Sequence, residues 1–272
     1  MNQAVARHRA PESLVDLDRY PITDLNAPGA QTVLRTARSQ LADMGACELP
    51  DFVRRAALDA MVAEADALAP QAYRSVGVGT AYLEVPDFEL PADHPRRTLG
   101  EYAVGVIAYD IIPETSPLRQ LYEWDGLMNF IGAVLQRGRL CRYADPLGAL
   151  NLAVMTDGDE LQWHFDQTDF VVSLALQDAD EGGDFEVAPH IRSATDERYD
   201  AVQRLFRGDR EAVVHLPMRP GTLLIFEGRH SIHRVSPIHG KTPRHVALLA
   251  YDTKPGTTST EVLRLSRYGR AG

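Results

Sequence analysis

Cysteine is scarce in this chain: Cys47 and Cys141 are the only two in 272 residues. They form neither a Cys-x-x-Cys motif nor a disulfide framework, so two reduced, buried thiols are expected. No run approaches the ~18 consecutive apolar residues that a membrane span requires. Residues 1–9 carry charge without an apolar core segment, so no signal peptide is read there and a cytoplasmic setting is expected. Basic residues are outnumbered, with 28 Lys and Arg against 38 Asp and Glu and a formal net charge of −10. The basic pairs Arg54-Arg55 and Arg96-Arg97 make no stripe, which speaks against a nucleic-acid partner. Repeats and Gly/Ser linkers are also missing, so one domain spanning 1–272 is expected. What is present is ordinary for a globular chain: 44% hydrophobic and 24% charged residues, enough for a core without staples.

The periodicity divides the chain in two. Residues 1–20 mix Pro, Asp, Arg and His without period and are expected as a loose arm. From 21 to 138 the pattern is mostly helical. Val33, Leu34, Ala37, Leu41 and Ala42 predict a helix over 31–44, and 45–49 a short strand. Asp51 is the expected N-cap of a second helix running to about Leu68. The stretch 70–97, rich in Pro, Gly and Asp, is expected as an irregular lid or binding loop. A strand over 102–112 and a helix over 116–136 complete this bracing half.

From 139 onward strands dominate. They are expected at 140–143, 150–155, 161–165, 170–176, 184–187, 212–216, 222–226, 233–235 and 245–251, with a helix-like insert at 193–206. Many strands separated by Gly/Pro turns point to an antiparallel sandwich or barrel. The fold class is therefore mainly β with flanking helices, a cupin-like jelly roll with its core at 139–272. Gly182-Gly183-Asp184 reads as a tight turn, not a phosphate loop, because no helix start follows it.

The chemistry is carried by Trp163-His164-Phe165-Asp166. On a strand, residues i and i+2 project from one face. His164 and Asp166 can then reach one ion while Phe165 turns into packing. A later strand brings His233 as third ligand. Two imidazoles and a carboxylate on one face of an octahedral ion suit non-haem iron(II) and leave three positions free. His-x-Asp pairs also arise by chance as ordinary hydrogen-bonded residues. Here each candidate is tied to a predicted strand, which favours the ligand reading. His230 competes with His233, but three residues apart on an extended segment they face opposite ways. His190, His215, His239 and His245 have no comparable setting.

These residues, with Asp145-Pro146-Leu147-Gly148, Gly182-Gly183-Asp184-Phe185-Glu186, Pro220-Gly221-Thr222-Leu223, Gly228-Arg229-His230-Ser231-Ile232-His233-Arg234-Val235 and Pro243-Arg244, resemble the iron(II)/2-oxoglutarate-dependent oxygenases. The likeness is to the group of amino-acid hydroxylases and their halogenating relatives. It implies a double-stranded β-helix with iron(II), 2-oxoglutarate and O₂ as cofactor and cosubstrates. It also implies His164, Asp166 and His233 as metal ligands, since His233 heads a His-Arg-Val-x-Pro run set like the family's distal His. Arg244, 11 residues further on, stands where the family places the guanidinium that pairs with the C5 carboxylate of 2-oxoglutarate. Arg234 should point away from the cavity. In the halogenating relatives Gly or Ala replaces the carboxylate ligand and chloride takes its place. Asp166 therefore implies hydroxylation.

The expected substrate is a small molecule, a free or N-modified amino acid attacked at an aliphatic C–H. Arg244, Val246, Leu248 and Ala250 share one strand face, so Leu248 is expected on an apolar substrate wall. Arg97, with Arg96 and Arg74 beside it as candidates, could anchor an acidic group. Gln167 could reach substrate, and Asn151 could hydrogen-bond the cosubstrate. For each, a structural or solvated role is the plainer reading. Alternatives are a nucleoside or other natural-product intermediate as substrate, desaturation, or a cupin-like metal-binding module without catalysis. A homodimer is compatible with the chain.

Overall fold

The structure is a computed structural model that describes residues 10–272. In chain order its elements are α1 (Pro28–Met44), β1 (Ala46–Leu49), α2 (Arg55–Leu68), β2 (Tyr73–Thr80), β3 (Leu99–Ile107), α3 (Pro117–Glu123), α4 (Asp125–Val134) and β4 (Cys141–Arg142). Next come β5 (Leu150–Met155), β6 (Leu161–His164), β7 (Val171–Gln177), β8 (Glu181–Gly182), β9 (Phe185–Ala188), α5 (Tyr199–Phe206) and β10 (Val214–Leu216). The chain closes with β11 (Leu223–Phe226), β12 (Ile232–Val235), β13 (Ile238–His239), β14 (Arg244–Leu249), β15 (Tyr251–Asp252) and α6 (Glu261–Tyr268).

Eleven strands form one antiparallel sheet in the order β1-β11-β7-β14-β5-β3-β6-β12-β9-β10, with β2 added on β3. Strand β3 is the fold-over point. It pairs β5 through Gly105–Ile107 and β6 through Tyr102. The two walls then face each other: Ala175, Leu224 and Phe226 of one pack against Val187 and Leu216 of the other. The expected mainly β jelly roll with flanking helices is what this sheet makes.

Alternation along each strand gives the wall β5–β14–β7 two distinct faces. Leu150, Leu152 and Val154 of β5 and Ala247 and Leu249 of β14 join the main core with α1, α2, α3 and α4. The opposite residues, Asn151, Ala153 and Met155 of β5 with Leu248, Val246 and Arg244 of β14, are cross-strand partners on the interior face.

Several local expectations are corrected. Residues 1–9 of the expected arm lie outside the described residues. The rest of it is not loose: a 3-10 turn at Pro11–Leu14 buries Leu14, and Val15 bridges Val53. Apolar Leu14, Val15, Tyr20 and Ile22 have an interior to enter, and burial outweighs the lack of periodicity. Asp51 does not cap α2; it has φ 55 and its carboxylate pairs with Arg19, while Arg54 precedes the first helical residue. The helix expected over 116–136 breaks at Trp124, whose backbone is extended at ψ 120. The segment 70–97 is not all irregular, because β2 occupies its first third. Its glycines are there for close packing: a Cβ on Gly77 would lie 2.7 Å from the Tyr102 hydroxyl. Cys47 is buried but Cys141 is half-buried, and both are free. No described helix is long and apolar enough to cross a membrane.

Candidate active site

His164 is the last residue of β6, and its cross-strand partner is His233 of β12. The register slips between this pair and Leu161–Val235, so β6 holds one extra residue there. A bulge of this kind re-aims side chains next to it. It turns His164 inward beside His233, with ring centroids 4.2 Å apart. Trp163 and Phe165 go the other way, into a small core with Val202 and Leu205 of α5. One geometric expectation fails. Asp166 is not on the strand with His164 but two residues beyond it, where its N–H donates to the Gly228 carbonyl at 3.1 Å. The ladder ends at the histidine pair, and the Gly228 turn then carries the carboxylate into place.

The three side chains nevertheless converge. One ligand atom from each of His164, Asp166 and His233 lies within 4.8 Å of the others. Both imidazoles are oriented by the same device. His164 Nδ1 faces the Gln162 carbonyl at 2.7 Å, and His233 Nδ1 faces the Ser231 carbonyl at 3.0 Å. A carbonyl only accepts, so Nδ1 carries the proton and the Nε2 lone pair is left for a metal. Burial, together with the His233 charge, holds His164 down to about 4, and burial holds His233 there too. Both rings are therefore neutral at pH 7. Burial pushes the Asp166 carboxyl up, against the opposing charges of His164, Arg267 and Arg229. Its Oδ2 is buried with no hydrogen-bond partner and sits 3.7 Å from His233 Nε2. Phe185 and Phe226 close over the His233 ring, at 5.5 and 4.7 Å between centroids. Two neutral imidazoles, one orphaned carboxylate oxygen and a dry wall fit a ferrous ion.

The second half of the site lies on the interior face of β14. Arg244 is 6% exposed, and no carboxylate among the described residues reaches ion-pair distance of it. Met155 Sδ lies 4.0 Å from its Nη1. Burial draws this guanidinium down to about 10, against the more distant charges of Asp178 and Asp184. A buried cation without a counter-ion is costly unless a ligand completes it. Across the ladder, Asn151 is buried with Oδ1 unpartnered. Phe185 links the two halves, packing against the cluster that contains Met155 while its ring meets His233.

The family model described as Halogenase D (HalD) matches residues 30–263. The chain belongs to the Halogenase D family. Among solved structures, AviO1 from Streptomyces viridochromogenes Tue57 is similar at 16% identity, covering 83% of this chain and 97% of that one, with a TM-score of 0.56. SnoN, a non-heme alpha ketoglutarate dependent epimerase from nogalamycin biosynthesis, is similar at 13% identity, covering 82% of this chain and 83% of that one, with a TM-score of 0.56. A 2OG-Fe(II) oxygenase family oxidoreductase from Burkholderia pseudomallei is similar at 17% identity, covering 82% and 92%, with a TM-score of 0.51. At these identities the likeness is one of fold. No curated protein matches the chain.

The match to a halogenase family makes this chain an enzyme, and His164, Asp166 and His233 are placed to hold one metal ion on the interior face. The non-catalytic module is thereby set aside. Arg234 points away as expected, pairing with Glu186 at 2.6 Å under the Trp163 ring. Leu248 is half-buried on the interior face, next to Val246 and opposite Asn151. The remaining candidates are engaged by neighbours of their own. Arg97 is held by the Leu90 carbonyl at 2.7 Å, Arg96 by Glu84 at 3.0 Å, and Arg74 by the buried Asp159 carboxylate. Gln167 is exposed, its carbonyl accepting from Arg229. Gly228 was not singled out from sequence. A Cβ there would come within 1.7 Å of Asp166 Oδ2, so this glycine makes room for the ligand carboxylate.

Proposed function

We propose that this enzyme is an iron(II)- and 2-oxoglutarate-dependent oxygenase that uses O₂ to hydroxylate an aliphatic C–H of a free or N-modified amino acid while 2-oxoglutarate becomes succinate and CO₂. The observation that carries the reading is Asp166. A carboxylate is present, half-buried with its Oδ2 shielded, and within liganding reach of both histidines, where a halogenating site needs room for chloride. The family description names halogenation, and the Asp166 carboxylate is what supports hydroxylation instead.

Iron(II), when bound, supplies the activation of O₂ that couples 2-oxoglutarate decarboxylation to C–H oxidation. The chain does the rest. His164 and His233 present neutral Nε2 atoms, fixed by the Gln162 and Ser231 carbonyls. Arg244 receives the C5 carboxylate of 2-oxoglutarate and gains the counter-charge it otherwise lacks. Asn151 offers its amide to the cosubstrate from the same wall. Phe185 and Phe226 keep water from His233. Val246 and Leu248 offer an apolar surface for an aliphatic chain.

Succinate release is measured across a panel of free and N-acylated amino acids with iron(II), 2-oxoglutarate, O₂ and chloride all present. At least one amino acid should raise succinate above the substrate-free rate and gain one oxygen atom. A chlorinated product would sink the hydroxylase reading. A panel with no responder would sink the amino-acid reading.

A further inference from the structure

Strands β2 and β3 run as one antiparallel ladder, Tyr73–Thr80 against Leu99–Ile107, and its two faces differ. Val76 and Val78 lie on the outward face and are exposed. On β3, Val104 and Val106 join the interior cluster with Met155 and Val235. By alternation Tyr102 and Gly100 continue that inward face, with Gly77 and Gly79 as their cross-strand partners. Three of these four positions are glycine, so the inward face is nearly bare there.

Two side chains cover it. A Cβ on Gly77 would lie 2.7 Å from the Tyr102 hydroxyl, so this ring lies flat along the ladder. A Cβ on Gly79 would lie 3.3 Å from Gln162 Nε2, and one on Gly100 would collide with Gln162 Oε1. A Cβ at either position would point inward, so the Gln162 carboxamide rests on the interior face over the Gly79–Gly100 pair. The Gln162 carbonyl faces His164 Nδ1 at 2.7 Å, which ties this residue to the metal ligand two positions on. Tyr102 pairs with Leu161, the residue before Gln162. Both side chains are half-buried, and neither the Gln162 amide nor the Tyr102 hydroxyl has a hydrogen-bond partner among the described residues. Polar groups held still by packing lose little freedom when a ligand meets them.

We propose that Tyr102 and Gln162 form a substrate shelf that holds an uncharged amide group beside His164, Asp166 and His233. A secondary amide offers one N–H and one C=O in opposite directions, and a carboxamide and a hydroxyl can each donate or accept. The glycines beneath the two side chains are two positions apart on β2, about 7 Å. An amide lying between the two groups makes one hydrogen bond of about 2.9 Å to each. Neither group is charged, so neither completes an ammonium or a carboxylate as an ion pair would. The inference rests on the amino-acid reading and narrows it: of the free and N-modified forms, the N-acylated amino acid fits the shelf.

The test uses the full-length protein under anaerobic conditions with iron(II) and 2-oxoglutarate, its visible charge-transfer band recorded before substrate is added. Three matched series are compared: N-acetyl amino acids, free amino acids, and O-acetyl hydroxy acids in which oxygen replaces the amide N–H. Calorimetry reads Kd, and succinate formation in air reads KM and kcat. The N-acetyl series should bind roughly 10-fold or more tightly than either of the others. Gln162→Leu should raise Kd and KM for that series by roughly 10- to 100-fold with kcat changed less. The band without substrate should stay as it was, because the backbone carbonyl of residue 162, not its side chain, orients His164. Tyr102→Phe should shrink the preference for amide over ester. Free amino acids binding as tightly as N-acetyl ones, an unaltered Kd in Gln162→Leu, or no binding by any amide overturns the shelf. If N-alkylacetamides without a carboxylate bind as well as N-acetyl amino acids and lose affinity in Gln162→Leu, the shelf stands and the amino-acid reading falls.

Discussion

Arg244 and His245 are neighbours on one strand and both are withdrawn from solvent, yet they are completed differently. His245 faces the helices, where Asp66 of α2 meets its Nε2 at 2.9 Å. Ala247 and Leu249 continue that face into the main core. Arg244 faces the interior and has no counter-charge among the described residues. Asn151 Oδ1 and Asp166 Oδ2 are left over on the same side. On the outer face the imidazole has its carboxylate, and only its Nδ1 is left without a partner. The inner face is finished only by what binds there. Buried polar groups are normally satisfied, so clustered exceptions mark a ligand site.

The difference can be broken from the outer side first. Leu249→Ala removes fully buried apolar volume and should cost about 2–5 kcal/mol of stability in urea unfolding. The folded protein should keep its iron(II)–2-oxoglutarate absorption band. On the inner side, Arg244→Met should raise KM for 2-oxoglutarate by roughly 100-fold, about 2.7 kcal/mol. The melting temperature of the ligand-free protein should stay level or rise, because an unpaired buried cation has been replaced by an apolar chain. A large fall in melting temperature would mean that Arg244 is a structural residue after all. Gly228→Ala should lower iron(II) affinity roughly 10- to 100-fold by displacing Asp166, measured by anaerobic titration. Unchanged affinity would show that the carboxylate does not need that space.

Two aspartates, Asp145 buried and Asp166 half-buried, sharpen the same contrast. Asp145 is finished by the protein: it accepts from the Leu147, Gly148 and Ser259 N–H groups and from Arg264. Burial alone would raise its pKa, but the backbone donors outweigh burial and hold it at about 2. Asp166, without such donors, is pushed up instead. A depressed carboxyl contributes stability that is present above its unfolded pKa of about 4 and is lost as pH falls toward 2. The stability gap between the unaltered protein and Asp145→Asn should therefore close over that window by about 1–2 kcal/mol. A gap independent of pH would contradict the assignment.

The ligand triad was legible because His-x-Asp and a distal His each sit at a strand, and strand chemistry has a short period. The bulge that aims His164 and the turn that carries Asp166 past the strand end were not, since both depend on the cross-strand register with β12. Strand β2 was hidden by its own glycines. Gly77 and Gly79 read as loop residues, yet they make way for Tyr102 and Gln162 side chains supplied by β3 and β6. The break at Trp124 was invisible for a similar reason: its ring lies where a Cβ on Gly126 would be, at 2.3 Å, while the apolar period runs on unbroken. Candidate anchors Arg74, Arg96 and Arg97 stood out by their place in an irregular segment. Only the fold reveals that each has a partner.

The most direct test of the central claim is an anaerobic titration with iron(II) in the presence of 2-oxoglutarate. One ferrous ion should bind per chain and give a visible charge-transfer band. His164→Ala and His233→Ala should lose that band while keeping the circular dichroism of the folded protein. A band that survives both substitutions, or none in the unaltered protein, would contradict the site described.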